Sequence, residues 1–270
     1  MTDKFASFIG SIPEYYDTYC GPAVGERWAE DFVRRLPARI DGDVLETACG
    51  TGTLTRRLRD RLAPDARLVA TDLNGAMLEY ARRRLGDPPR VEWQTADAVA
   101  LPFPDRSFGA VVCQLGIMFV PDKAAAMHEA HRVLAPGGLF AFHVWDRLDA
   151  NPHAQASGEA IAALLPNDPV ASFIKVPYGF NDESLIRRLL ADSGFTDVRI
   201  ERAEIEIVSR TARSLAIGLV RGTPRGLMLE ERGLSLDAVV DVVATALARV
   251  GGDNPFHSPA RALVVMARAG

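Results

Sequence analysis

Asp43-Val-Leu-Glu-Thr-Ala-Cys-Gly-Thr-Gly-Thr-Leu-Thr55 is the stretch that decides the fold. Val44 and Leu45 begin a short apolar run of the kind that forms a buried strand. Gly50 and Gly52 break that run with a turn, and Leu54, Leu58 and Leu62 then recur at the spacing of one helix face. Strand, glycine-rich turn and helix together bring backbone N–H groups to a helix N-terminus, where a ligand can approach closely. Small residues at Ala48, Gly50 and Gly52 keep side chains out of the way, and Glu46 places a carboxylate at the end of the strand.

A dinucleotide fingerprint wants a third glycine three residues after the second. Thr55 stands there instead, and Glu46 suits a cationic ligand better than a diphosphate. Downstream, Arg67-Leu-Val-Ala-Thr-Asp-Leu forms a second strand ending at Asp72, 20 residues past Gly52. An acidic residue at that spacing can accept hydrogen bonds from both hydroxyls of a ribose. Leu73 can cover an adenine face, and Met77, Leu78 and Ala81 form the apolar side of the next helix. Val91–Ala96 is the third strand; Asp97 and Ala98 at its carboxyl end can meet an adenine amine and ring nitrogen. Gly109–Gln114 is the fourth strand. The helix Asp122–Leu134, with Asp122 as its cap, leads through Ala135-Pro-Gly-Gly to a fifth strand, Leu139–Trp145.

The whole chain sets bounds. Its 270 residues, 48% hydrophobic, suffice for one elaborated domain, or one domain and a small second. A net charge of −4 with no long basic run disfavours a nucleic-acid substrate. Three widely spaced cysteines form no disulfide or metal pattern and fit a reducing, cytoplasmic setting. His128 and His131 share a helix face but lack a third ligand, so no metal is expected. The N-terminal Met1–Ala6 lacks the apolar run of a signal peptide, and no apolar run is long enough to span a membrane.

Several motifs occur in order: Val44–Gly52, Ala70-Thr-Asp-Leu-Asn, Ala96-Asp-Ala before Leu101-Pro-Phe-Pro-Asp-Arg-Ser-Phe, and His131-Arg-Val-Leu-Ala-Pro-Gly-Gly. Together they resemble class I S-adenosylmethionine (SAM) methyltransferases of type 11, the branch that includes the ubiquinone and menaquinone C-methyltransferases. The resemblance covers about residues 12–146. One departure is Ala48, which replaces the first glycine of the family's glycine motif. The resemblance implies an α/β, Rossmann-like, doubly wound sheet of seven strands, mostly parallel, whose last strand enters antiparallel between strands five and six. It also implies SAM as cofactor. Glu46, Ala48, Gly50 and Gly52 match the turn around its methionine half, Asp72 the ribose ligand, Asp97 and Ala98 the adenine contacts. Gln114 matches the residue near the transferable methyl. Methyltransferases acting on exocyclic base amines carry an Asn/Asp-Pro-Pro-Tyr/Phe motif there; Cys113-Gln-Leu-Gly argues against that chemistry.

The expected organisation is an N-terminal helical cap (1–38), a SAM-binding core (39–146), an insertion (147–181) and a C-terminal completion of the core with extra helices (182–270). The cap carries Tyr15, Tyr16 and Tyr19, then a helix from Val24 to Leu36 with Trp28 and Phe32 inward. Tyr16 can contact the cofactor and Tyr19 the acceptor; both also fit as helix anchors. The insertion is either an acceptor lid or a packing elaboration. It holds a helix, Ala154–Leu165, and an irregular stretch with Phe173 and Tyr178. With Phe119 and Trp145 these give an aromatic pocket for a small organic acceptor. His143 and His153 are candidate bases, with His257 a weaker third; for His143 packing into the sheet is the slightly favoured reading. The chain is thus expected to methylate a small molecule on oxygen or carbon, as a monomer or homodimer. A nucleotide-linked oxidoreductase and a SAM-fold binding or rearrangement protein are the alternatives.

Overall fold

The computed structural model describes residues 8–270, so the expectation about the N-terminal Met1–Ala6 lies outside the described residues. Seven strands form one sheet in the order β3-β2-β1-β4-β5-β7-β6. They are β1 (Val44–Glu46), β2 (Leu68–Asp72), β3 (Val91–Thr95), β4 (Phe108–Gln114), β5 (Leu134–Trp145), β6 (Phe195–Ser209) and β7 (Phe256–Ala269). Strands β1 to β5 are parallel, with Leu45 opposite Val69 on one side and Val111 on the other. The last strands are antiparallel, and β7 lies between β5 and β6. This is the doubly wound α/β fold with the strand arrangement expected.

The chain divides into two compact units. One comprises Ala29–Val144, Phe180–Ala203 and Ala262–Gly270. Its helices are α2 (Glu26–Arg35, for the most part), α3 (Thr53–Arg61), α4 (Gly75–Leu85), α5 (Lys123–Val133) and α7 (Glu183–Asp192). Phe32, predicted to face inward, joins Leu36, Val44, Leu54, Leu58, Leu68 and Ala110 in one buried cluster. Burying such side chains contributes roughly 1.5–3 kcal/mol each. Asp122 caps α5 by accepting from the Ala125 N–H, and Asp182 caps α7 by accepting from Ser184 and Leu185.

The other unit comprises the residues up to Trp28, Trp145–Gly179 and Glu204–Arg261. It is chiefly helical: α1 (Ile12–Tyr15), α6 (Pro152–Leu164), α8 (Ala212–Arg221), α9 (Arg225–Glu230) and α10 (Leu236–Gly251). Helix α10 packs on α6 and α8 through a face that includes Val239, Val243 and Leu247. Between α1 and α2 the chain does not break at Gly21-Pro22 as its composition suggests. It winds through Tyr16–Gly25 as a π-helix, whose wider turns carry Pro22 inside, and the Glu26 N–H bonds back to the Gly21 carbonyl. A β-carbon on Gly218 of α8 would fall 2.6 Å from Cys20 Sγ, so only glycine lets α8 approach this segment.

Three further differences from the expected elements have local causes. Strand β5 begins at Leu134, five residues early, because Leu134 already pairs with Phe108; the register then shifts through Ala135-Pro-Gly-Gly, where Gly137 takes φ of 76°. The stretch around Phe173 is a 3₁₀-helix, Pro169–Lys175, started by Asp168 accepting from the Val170 N–H. Helix α9 is a short element between α8 and α10, in the region expected to hold extra helices. Strand β7 starts at Phe256, since residues 256–261 alternate buried and exposed although Pro259 and Arg261 mask the pattern.

Candidate functional site

The site is built on the turn between β1 and α3, within the sheet-bearing unit. Neighbouring strands pin this turn from both sides. The Thr47 N–H donates to the Val112 carbonyl (2.9 Å), the Cys49 N–H to the Thr71 carbonyl (2.9 Å), and the Thr71 hydroxyl to the Glu46 carbonyl (2.9 Å). Gly50 and Gly52 take φ of 57° and 81°, the left-handed region that favours glycine. Ala48 takes φ of 53°. An L-residue with a β-carbon pays roughly 1–2 kcal/mol there, which explains why a glycine is the usual occupant. Facing it, a β-carbon on Gly116 would come 2.4 Å from Ala48 Cβ, so Gly116 accommodates the alanine.

The two glycines do different work. A β-carbon at Gly50 would meet nothing within 4 Å, so the backbone there faces open space. One at Gly52 would sit 2.8 Å from Leu85 Cδ1 and 3.2 Å from Ala81 Cβ. Gly52 is thus constrained by packing against α4, whereas the motif alone predicts that a branched residue there blocks only the ligand. Thr55, where a dinucleotide site would have its third glycine, is fully buried.

Two carboxyl groups flank the turn. Asp72, 7% exposed at the end of β2, accepts from the Gly50 N–H at 2.9 Å through one oxygen and from the Asn74 N–H at 2.8 Å through the other. Burial raises its pKa, against the pull of those donors. Glu46 is 1% exposed, and its Oε2 has no hydrogen-bond partner. Burial pushes its pKa up to about 8; Thr55 opposes the rise and the Asp72 charge adds to it. A buried carboxyl with an unused oxygen, at a turn open to ligand, is suited to a cationic group. Asp72, whose Oδ2 accepts only from Gly50 and keeps acceptor capacity, is suited to a hydroxyl of a diol. The donor set therefore fits the α-amino and sulfonium charge and the ribose of SAM.

The remaining candidates fall in two groups. In the same unit, Asp97 is exposed and accepts from the Val99 N–H at 3.1 Å. Ala98 lines a small cavity with Thr47, Ala48, Cys113 and Gly116. Gln114, at the end of β4, and Phe119, in a 3₁₀ turn (Ile117–Phe119), are half-buried. Leu73 is 57% exposed, as a surface awaiting a flat apolar ligand would be, and Met77 is buried within α4. His143 is fully buried, 4.5 Å from the Phe32 ring, and its pKa is lowered to about 3 by burial and by the Arg35 charge.

In the helical unit, Trp145 stacks on Tyr178 (5.4 Å between ring centroids) and meets Trp28 edge-on. His153 is buried near Trp145 with its pKa lowered to about 4 by burial. Tyr19 stacks on Tyr15, Phe173 is buried, and Tyr16 and Tyr178 are half-buried. His257 is exposed and pairs with Glu206 at 3.1 Å. A histidine with a pKa of 3 or 4 is a poor base at neutral pH, so the expectation of His143 or His153 as the base finds a physical obstacle in their burial. Asn74 carries a role that its place in the motif did not suggest: its backbone and side-chain amides both donate to Asp72. An Asx residue two positions after a strand-end aspartate is the only sequence signal for it.

Residues 44–138 match the family described as a methyltransferase domain. The ubiquinone/menaquinone biosynthesis C-methyltransferase UbiE of Hahella chejuensis is 38% identical over 114 residues, covering 41% of this chain and 46% of that protein. The chain thus spans about half the length of the curated relatives it matches. Among solved structures, YcgJ of Bacillus subtilis superposes with a TM-score of 0.58 at 16% identity, covering 90% of this chain and 97% of that one. Phosphoethanolamine N-methyltransferase 2 of Haemonchus contortus, solved with S-adenosylhomocysteine, has a TM-score of 0.57 at 17% identity, covering 96% and 60%. At such identities these structures speak for the fold alone. Residues 44–138 are thus similar to the methyltransferase domain of class I SAM-dependent methyltransferases.

Proposed function

We propose that the protein transfers a methyl group from SAM to a small organic acceptor, on oxygen or carbon. The observation that carries this is the buried Glu46 carboxyl, with its unpartnered Oε2, beside a turn whose Gly50 backbone faces open space. When bound, SAM supplies a methyl on a sulfonium, already activated because its departure leaves a neutral sulfide. The protein's part is then to hold and orient. Glu46, ionised, complements the ligand's positive charge. Gly50 lets backbone approach it, and Asp72 accepts from the ribose hydroxyls. Asp97 and Ala98 read the adenine.

The acceptor is assigned to the aromatic side chains of the helical unit, Trp145, Phe173 and Tyr178 with Tyr16 and Tyr19, whose apolar rings suit a small organic molecule. With His143 and His153 held neutral and weakly basic, the acceptor must give up its proton to water or arrive as an anion. Phenols, quinols and carboxylates meet that requirement. We further place the protein in the cytoplasm as a monomer or homodimer; its three cysteines are free, and no described helix is long and apolar enough to cross a membrane.

Mass spectrometry of ligand that co-purifies, followed by a methyl-transfer screen over those three acceptor classes, tests the proposal. Calorimetric binding of NAD(H) and not of SAM would replace it with an oxidoreductase. SAM binding with no transfer to any acceptor would favour the binding or rearrangement protein.

A further inference from the structure

The helical unit contains a buried cation with no counter-ion. Arg225, at the start of α9, is 3% exposed. Its two hydrogen bonds both leave from Nη2, to the Ser157 hydroxyl at 3.2 Å and to the Leu219 carbonyl at 3.1 Å. Nε is buried and makes none. Among the described residues no carboxylate pairs with it. The charged groups that bear on it are Tyr178 and Cys20, and burial raises the pKa of both, Cys20 to about 12. They are therefore neutral at physiological pH. The guanidinium lies 5.6 Å over the Phe173 ring, and burial lowers its own pKa to about 10.

Leaving a charge of this kind without an opposite one costs several kcal/mol. The Leu219 carbonyl, in the last turn of α8, offsets part of this through the helix dipole. One neutral hydroxyl and one carbonyl do not neutralise a guanidinium or occupy its Nε. The surroundings add a second observation. The Tyr16–Gly25 π-helix brings Tyr16 and Cys20 into this cluster, and π-helical windings occur often at functional sites. Tyr16 and Tyr178 are half-buried, so the cluster meets solvent through two phenol rings.

We infer that Arg225 anchors the anionic end of the acceptor, and that the acceptor is a small aromatic molecule bearing one carboxylate. Nε and the guanidinium charge take the carboxylate, and the rings of Phe173, Tyr178 and Trp145 take the aromatic body. This assignment deepens the methyl-transfer proposal and rests on it.

Calorimetry with 4-hydroxybenzoate and with its neutral methyl ester, each titrated with and without S-adenosylhomocysteine, tests the anchor. The expected result is that the wild-type protein binds the acid at least about tenfold tighter than the ester. Arg225→Met should abolish that preference while leaving ester affinity within a few-fold, and Arg225→Lys should retain part of it. Equal affinities for acid and ester, or binding of neither, overturns the inference in the wild-type protein alone, whatever the variants do. A preference that survives in Arg225→Met overturns it as well and returns the arginine to a purely structural role. Binding of S-adenosylhomocysteine by itself is scored separately: its failure refutes the methyl-transfer proposal, whereas an acid preference without it would leave the anion site standing.

Discussion

Glu46 makes SAM binding depend on pH across the neutral range, where an ordinary carboxylate site would be flat. A solvent-exposed glutamate would be ionised throughout the neutral range. Burial lifts Glu46 to about 8, and its Oε2 has no partner until a ligand arrives. A cationic ligand selects the ionised form, so below pH 8 binding must expel a proton. With that pKa the ionised fraction is about one half at pH 8 and about one in a hundred at pH 6. SAM affinity should therefore fall roughly 50-fold between those values, about 2.3 kcal/mol. At pH 7, calorimetry in buffers of contrasting ionisation enthalpy should register about 0.9 proton released per ligand bound. The same titration on Glu46→Gln subtracts protons that belong to the ligand: release should drop by nearly one, and the pH dependence should flatten. The ligand-free protein offers an independent check. A folded-state pKa raised above the ordinary 4.5 means that the folded protein holds the extra proton, so this contribution is present below about 4.5 and lost as pH rises through 8. Glu46→Gln should remove that decline from a denaturation series. Equal proton release in wild type and Glu46→Gln, or affinity flat from pH 6 to 8, would refute the placement of the cation at Glu46.

Asp72→Ala removes the acceptor for ligand hydroxyls and should weaken SAM binding ten- to a hundredfold, ~1–3 kcal/mol; unchanged affinity by calorimetry would contradict the ribose assignment. Gly52→Val should lower stability by about 2–5 kcal/mol, from left-handed strain plus overpacking against Leu85 and Ala81, as read by denaturant unfolding. Gly50→Ala, with open space around it, should cost only about 1 kcal/mol and show its effect in SAM affinity; the reverse ranking of stabilities would defeat the distinction. His143 and His153, lowered to about 3 and 4, contribute stability that is present above about 6.5 and lost as pH falls; acid unfolding should steepen by roughly 1.4 kcal/mol per pH unit for each, and His143→Phe should remove one share. If residues 151–181 and 12–22 close over the acceptor, hydrogen exchange should slow in both when S-adenosylhomocysteine and an acceptor are added, whereas exchange already slow and unchanged would mark them as fixed packing.

The alternation of βα units was legible along the chain because each depends on local periodicity and local breakers. Val44–Leu45 before two glycines, and the Asp122 cap, needed no distant partner to be read. Asp72 too was found by spacing, since the length of one βα unit sets its distance from the turn. Tertiary structure alone decided what each polar group experiences. Burial of Glu46 comes from strands packed on both sides of β1, and it turns an acid into a proton-coupled site. His143 looks like a base in sequence, but Phe32 and the sheet around it hold it neutral. Gly52 reads as a ligand glycine, yet its constraint comes from Leu85, which lies more than thirty residues away. Arg225 is one of many arginines in the sequence, and its burial beside Ser157, 68 residues earlier, is what sets it apart. Desolvation is a property of the surrounding three-dimensional packing, and the pattern of neighbouring residues carries no record of it.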